Sequence, residues 1–365
     1  MKNQKLNEGM TMETKNTKFT AQNTKLFAYS GSKLKYKNQF TEMHNKMKAK
    51  AVKYYIEVFS GSLASLFHNL AYIDAETIII NDINPRLINL YNQIKNNHKE
   101  VIEKYKLLEQ EFQRIISPNL RGKRPVPKED REQFQANNDF YLEARKLLNK
   151  VGIGTNQAAL FLFVLNHNYN GLYSENKRCE VNCSFNWSAK HIDIEAIAAN
   201  IRNLHEFFTV NTIIFETMNA KELLEKYKDE DTFIYLDPPY INSDIQYTKK
   251  NIDSFNNIDT HFQLLEECNK YKYVLYSNNH HEMFVERFDN YLNFKRTNSI
   301  SDKDKKAKLE ILAYKINEQK ALKPIPIAQL LGIEESHTAT PVNNQVKGIT
   351  QLLNLQNELL NTEAS

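Results

Sequence analysis

Short apolar runs recur along the chain at Tyr54–Phe59, Thr77–Ile80, Thr212–Phe215, Thr232–Leu236, Lys272–Tyr276, Tyr291–Phe294 and Leu309–Tyr314. Most are rich in β-branched and aromatic residues and lack a regular polar face. That pattern marks strands buried on both sides of a parallel sheet. Between several of them the apolar spacing lengthens to three and four, which predicts helices over Pro85–Asn92 and Asp259–Asn269. Strands alternating with helices specify an α/β fold.

The interval between the second and third strands breaks this rhythm. It runs from about Pro85 to Asn211, far longer than one crossover requires. Helical spacing fills Lys95–Ile116, Glu129–Val151 and Asn156–Asn166, and an irregular stretch follows from Asn168 to Trp187. A mostly helical insertion is expected, with boundaries at residues 93–204. It divides the sheet into halves over 23–92 and 205–316. Residues 1–22 are polar and aperiodic and read as a disordered leader. Residues 317–365 carry Pro324, Pro326 and one weakly amphipathic run, Ile349–Leu360, and read as a linker and peripheral tail.

Composition narrows the class. Hydrophobic residues make up 41% and charged residues 25% of 365, as in globular proteins. There is no apolar run of about 18 residues to span a membrane, and Met1-Lys-Asn-Gln-Lys5 lacks the apolar core of a secretory signal. Three cysteines are too few for a disulfide framework, so a reducing cytoplasm is expected. Cys179 and Cys183 with His191 lack a fourth ligand at zinc spacing, so free thiols and no metal are expected. Net charge is +4, yet residues 1–50 hold eleven lysines against three glutamates. A second basic cluster, Arg121, Lys123 and Arg124 with Lys128 and Arg131, surrounds Pro125 and Pro127. Such clusters suit a polyanion partner, or a solvated lysine-rich surface; charge alone leaves both open.

The candidate chemistry lies where strands end. Thr232–Leu236 runs into Asp237-Pro238-Pro239-Tyr240 at the edge where α/β sheets bind ligands. Asp237 can accept one hydrogen of a planar exocyclic amine. The Pro238 carbonyl, in a turn stiffened by Pro239, can accept the other. Tyr240 can stack on the ring. The plain alternative is a rigid turn with a surface tyrosine. The first strand ends in Glu57-Val-Phe59-Ser-Gly61, small enough for close cofactor approach but poor in glycine for a phosphate cradle. Asp82, 25 residues after Glu57, suits a ribose diol, although with Asn84 it could instead cap the next helix. Tyr29 and Lys33 flank Gly31, and that lysine could meet the carboxylate of an amino-acid-like cofactor. Asn166–Trp187 interleaves amides, cations and aromatics, a mixture suited to base edges and phosphates.

In this order, Tyr-Leu-Asp-Pro-Pro-Tyr240, Asn81-Asp82-Ile-Asn-Pro-Arg-Leu-Ile-Asn-Leu-Tyr91 and Tyr169-Asn-Gly-Leu-Tyr173 resemble the Dam-like DNA adenine-N6 methyltransferases, alpha group. The resemblance runs from about Leu26 to Lys315. It implies a Rossmann-like, S-adenosylmethionine-dependent methyltransferase sheet with an inserted target-recognition domain. It assigns Tyr29, Lys33, Glu57, Phe59, Gly61, Asp82, Asn219 and Asp237 to the cofactor. Asp237, Pro238, Pro239 and Tyr240 become the catalytic motif. In the family's DNA-contacting run Asn170, Gly171, Asn176 and Asn182 match; Tyr173, Lys177 and Arg178 beside them, with Arg121, Lys123 and Arg124 of the basic cluster, complete the expected DNA contacts. Ser277–Asn279, Lys308 and Glu310 match as structural positions. Tyr29, Val58, Leu63, Ser174 and Asn219 stand where the family more often has Trp, Pro, Gly, Arg and Asp.

The implied reaction methylates N6 of an adenine flipped from double-stranded DNA. A cognate restriction endonuclease is a candidate partner, in a bacterial or phage-encoded setting, with the protein a monomer or weak dimer. Methylation of cytosine N4 or of RNA adenine, and a DNA-binding relative without catalysis, are the competing readings.

Overall fold

The computed structural model describes residues 16–49, 51–229, 231–240, 255, 257–295 and 309–317. Residues 1–15 of the expected leader and 318–365 of the expected tail lie outside this set.

The seven strands are β1 (Ala51–Glu57), β2 (Asp74–Asn81), β3 (Thr212–Glu216), β4 (Thr232–Leu236), β5 (Tyr273–Asn279), β6 (Asn290–Lys295) and β7 (Leu309–Ile316). They form one sheet in the order β3-β2-β1-β4-β5-β7-β6. The pairs from β3 to β5 are parallel, and β7 inserts antiparallel between β5 and β6. All five residues of β4 are buried, which is why its sequence shows no polar alternation. Side chains alternate across the pleat. Tyr55, Ile78, Ile80, Phe233, Tyr235 and Leu275 enter one apolar cluster. Ile56, Ile79, Ile234, Leu236, Val274 and Tyr276 enter the other. Each such residue contributes about 1.5–3 kcal/mol on full burial.

One face is covered by α1 (Lys37–Met47), α2 (Ala64–Leu70), α3 (Pro85–Arg114), α4 (Gln135–Leu148), α5 (Thr155–His167) and α6 (Ile194–Val210). The other carries α7 (Ala220–Lys226) and α8 (Ile258–Glu267), through Leu223, Leu224, Leu264 and Leu265, together with α9 (Glu282–Val285), through Phe284. Strand order reverses between β1 and β4, because β2 and β3 build outward on one side and β5 on the other. That reversal lies at the carboxyl ends of β1 and β4, the usual ligand position in such sheets. Among the described residues no helix is long and apolar enough to cross a membrane.

The insertion differs from expectation in three ways. The break between the helices expected at Pro85–Asn92 and Lys95–Ile116 is absent: α3 runs on for 30 residues, with only Asn97 out of helical geometry. Its start is fixed by Pro85 at the first turn and by the Asn84 side chain, which accepts from the backbone of Arg86 and Leu87. The helix expected from Glu129 begins instead as a 3-10 turn, Lys128–Phe134. Helix α6 was not anticipated, although Ala198, Ile201, Leu204, Phe207 and Phe208 bury one face at three- and four-residue spacing.

The boundaries at 92/93 and 204/205 therefore fall inside α3 and α6. The insertion shares one apolar cluster with the sheet instead of having its own. Phe207 joins the two, meeting Phe67 of α2 at 5.0 Å and Phe19 at 5.4 Å. The Phe19 contact also corrects the leader boundary at residue 22. Phe19 is 4% exposed and Asn16 accepts from Asn211 at 2.9 Å, so the chain is packed from Asn16 onward.

Candidate active site

The parallel register brings the ends of β1, β2, β3 and β4 to one edge, where Glu57 lies beside both Ile80 and Tyr235, and Asn81 beside Glu216. The loops that follow carry Phe59–Gly61, Asp82, Asn219 and Asp237–Tyr240. Asn81 ties three of these strand ends together. Its Nδ2 donates to the carbonyls of Val58 and Met218, and its Oδ1 accepts from the Met218 amide.

Lys33 is brought to this edge by the N-terminal strap. Its Nζ donates to Asp237 Oδ2 at 2.5 Å and to the Gly31 carbonyl at 2.9 Å. The Lys33 side chain is 4% exposed, so this pair is shielded from solvent screening. The same ammonium lies 5.1 Å from the centroid of the Tyr240 ring. Burial raises the Asp237 carboxyl above its ordinary range, and Lys33 and Tyr240 oppose the rise. Tyr240 donates to Glu310 Oε2 at 3.3 Å, which fixes the ring from β7. One lysine, one carboxylate and one ring thus meet at the switch point.

Glu57 sits beneath them and does not face outward. It is 0% exposed, and its two oxygens accept from Tyr55 and Ser65. Burial outweighs those donors and pushes the carboxyl up to about 8. Direct cofactor contact is therefore corrected for Glu57, because its side chain is fully enclosed by the protein. Asp82 is placed differently. It is half-buried, Oδ2 accepts from the Gly61 amide at 3.0 Å and Oδ1 from the Asn84 amide at 3.0 Å. One lone pair on each oxygen remains, as a vicinal diol requires. Gly61 has φ +44, and a Cβ built there would stand 3.4 Å from the Tyr29 ring. Phe59 is half-buried beside Phe255, at 5.6 Å. Asn219 is exposed and caps α7, accepting from the Glu222 amide at 3.0 Å.

The stretch read as irregular, Asn168–Trp187, is a narrow antiparallel hairpin with bridges at Asn168–Phe185 and Glu175–Val181. Its tip exposes Lys177 and Arg178, and Asn170 and Asn182 are exposed along its arms. Tyr173 is 1% exposed, packs on Phe161 and donates to Glu175, so the structure corrects it from a DNA contact to a core residue. Asn176 organises the turn, since its Oδ1 accepts from the amides of Arg178 and Glu180. Two anchors fix this hairpin. The Gly171 carbonyl accepts from Ser30 at 3.2 Å, and Arg86 of α3 donates to Glu175 at 2.9 Å and to the Cys179 carbonyl at 3.2 Å. Of the basic cluster, Arg121 and Arg124 are exposed, whereas Lys123 is tied to Asp130 at 2.6 Å.

Sequence reasoning passed over Tyr55, Ser65, Arg86 and Tyr91, whose hydroxyl donates to the Gly61 carbonyl. Arg86 and Tyr91 lie within the motif after Asp82, but only the fold shows what they hold. The three cysteines are free thiols. Among the described residues no three His, Cys, Asp or Glu converge as a metal site.

A mixed α/β sheet in this order, with a carboxylate, prolines and tyrosine at its switch point, defines a methyltransferase. The family follows from comparison: residues 29–307 match the D12 class N6 adenine-specific DNA methyltransferase model, and the chain belongs to that family. It is 28% identical over 236 residues to the type II methyltransferase M.MjaIII of Methanocaldococcus jannaschii, covering 63% of this chain and 74% of that one. It is 26% identical over 195 residues to the type II methyltransferase M1.LlaDCHI of Lactococcus lactis subsp. cremoris, covering 52% and 57%.

Proposed function

We propose that this adenine-specific DNA methyltransferase acts at a defined site in duplex DNA, using S-adenosylmethionine to methylate N6 of a flipped adenine. The carrying observation is the shielded Lys33–Asp237 pair beside the Tyr240 ring. The residues fit the cofactor: Asp82 keeps a free lone pair on each oxygen, and Gly61, without a side chain, keeps its backbone accessible beside the Tyr29 ring. When bound, the cofactor's sulfonium supplies the electrophilic methyl. Asp82 would hold the ribose hydroxyls, Tyr29, Phe59 and Gly61 would line its bed, and the Asn219 amide would meet its adenine.

The substrate side follows from the same edge. Tyr240 would stack on the flipped base. Asp237 would accept one N6 hydrogen and the Pro238 carbonyl the other, which turns the nitrogen lone pair out of conjugation and toward the methyl. Lys33 opposes the rise that burial imposes on Asp237 and fixes the carboxylate, so its acceptor geometry is set before the base arrives. As N6 gains the methyl it must lose a proton, and Asp237 is already hydrogen-bonded to receive it. Orientation and a preorganised acceptor would supply the rate gain.

We further propose that the protein works in the cytoplasm as a monomer or weak dimer, protecting DNA from a cognate endonuclease. The two relatives named as type II methyltransferases support that setting. The test is transfer of a tritiated methyl group to duplex pools followed by nucleoside analysis. Label on N6-methyladenine at one sequence is expected. Cofactor binding with no label on any DNA would overturn the proposal, and label on cytosine or RNA would redirect it.

A further inference from the structure

The basic residues of the insertion are gathered by a backbone ladder between segments that lie far apart in sequence. Gly122 donates to the Ala189 carbonyl at 2.7 Å, Ala189 to Lys123 at 3.1 Å, and Val126 to Trp187 at 2.8 Å. This ladder sets Arg121 and Arg124 beside Lys190 and His191. An open cavity of about 350 Å³ lies against it, lined by Gln113, Arg114, Arg121, Gly122, Ala189 and His191.

Neighbouring cations are neutralised: Lys123 by Asp130, Arg114 by Glu111 and Lys106 by Glu195. Arg121, Arg124, Lys190 and His191 have no ion pair among the described residues. Lys190 is half-buried, and its ammonium is pushed below its ordinary range by burial and by the like charge of Arg124, with Glu109 opposing and Lys25 adding to the shift. A partly desolvated lysine beside an arginine without a counter-charge suits a ligand that brings negative charge with it.

Resting on the DNA reading above, we propose that Arg121, Arg124, Lys190 and His191 form a phosphate clamp on the duplex. The clamp fixes the DNA without reading its sequence. The exposed hairpin residues Asn170, Lys177, Arg178 and Asn182 are left to contact base edges. This division follows from chemistry: contacts to phosphates position a duplex without reading it, while amides and arginines can match the donor and acceptor pattern of base edges. Lys25, which adds its charge to Lys190, is four residues from Tyr29, so at most ~14 Å of chain separates it from the cofactor edge.

The test is the triple variant Arg121→Ala, Arg124→Ala, Lys190→Ala, with duplex affinity measured from 50 to 200 mM salt. Each lost phosphate contact removes ~0.9 from the slope of log K against log salt, so the slope should fall by ~2.7. The loss of affinity across that salt range should then be ~40-fold smaller than in the parent. Site preference and cofactor affinity should be unchanged. Lys123→Ala should leave the slope near the parent value, because Lys123 is already paired. A parent-like slope in a triple variant with a native melting transition overturns the clamp, while the parent still methylates DNA. Failure of the parent to bind or methylate any duplex would instead remove the reading on which the clamp rests.

Discussion

Glutamine in place of Glu57 removes a titration that the fold itself creates. In the folded chain the Glu57 carboxyl keeps its proton up to about 8, against an ordinary 4.5, because burial outweighs the donors Tyr55 and Ser65. The folded state therefore binds more protons than the unfolded state between those values. By linkage, stability falls as pH rises through that window. Each pH unit of displacement corresponds to ~1.4 kcal/mol, which sets the loss between pH 5 and 8 at a few kcal/mol. Urea denaturation at pH 5, 6, 7 and 8 should show this decline in the parent and a much flatter profile in Glu57→Gln. Methyl transfer at pH 7 should survive in the variant, because a neutral Glu57 is replaced by a neutral amide. Equal pH slopes in both proteins would refute the reasoning.

Asp237→Ala should lower kcat by ~10²–10³ or more, as removal of a preorganised hydrogen-bonding group does, with cofactor affinity largely retained by calorimetry. Parent-like activity would overturn its role. Gly171→Ala places a Cβ 2.8 Å from the Ala28 carbonyl at φ +69, so the strap carrying Tyr29 must shift. A loss of ~1 kcal/mol or more in stability is expected, with weaker cofactor binding by fluorescence titration. Arg86→Ala leaves Glu175 buried without its cation. Thermal melts should show a loss approaching ~3 kcal/mol, and DNA affinity should fall more than cofactor affinity.

Thr232–Leu236 was readable to the residue because a strand buried on both faces must be apolar throughout. Its carboxyl end put Asp237–Tyr240 at the sheet edge, but the order of strands in the sheet was not legible from the apolar runs alone. Helix α6 escaped notice although its apolar spacing is regular, because a polar, irregular stretch precedes it. The boundaries at 92/93 and 204/205 failed for a cooperative reason: a helix, once started, propagates through any division of labour drawn on the sequence. Among the site residues, type was legible and direction was not. Asn170 and Tyr173 sit three apart in one motif, yet one is exposed and the other is core. Likewise Glu57 and Asp82 are both acids at strand ends, but Glu57 is enclosed by Tyr55 and Ser65, whereas the amides that hold Asp82 leave it half-exposed.

The two anchors of the 168–186 hairpin have a consequence for how target preference can change. One is the Gly171–Ser30 bond and the other the Arg86 fork onto Glu175 and Cys179. A hairpin transplanted from a relative would have to match a glycine, a strap and an arginine on α3 before it could present anything to DNA. Exchange of the whole hairpin as a cassette should therefore fail more often than it succeeds. Under the DNA reading proposed above, substitution at Lys177 and Arg178, between the Glu175 and Cys179 contacts, and at Asn182 beyond them, leaves both anchors in place and is the open evolutionary route to a new target.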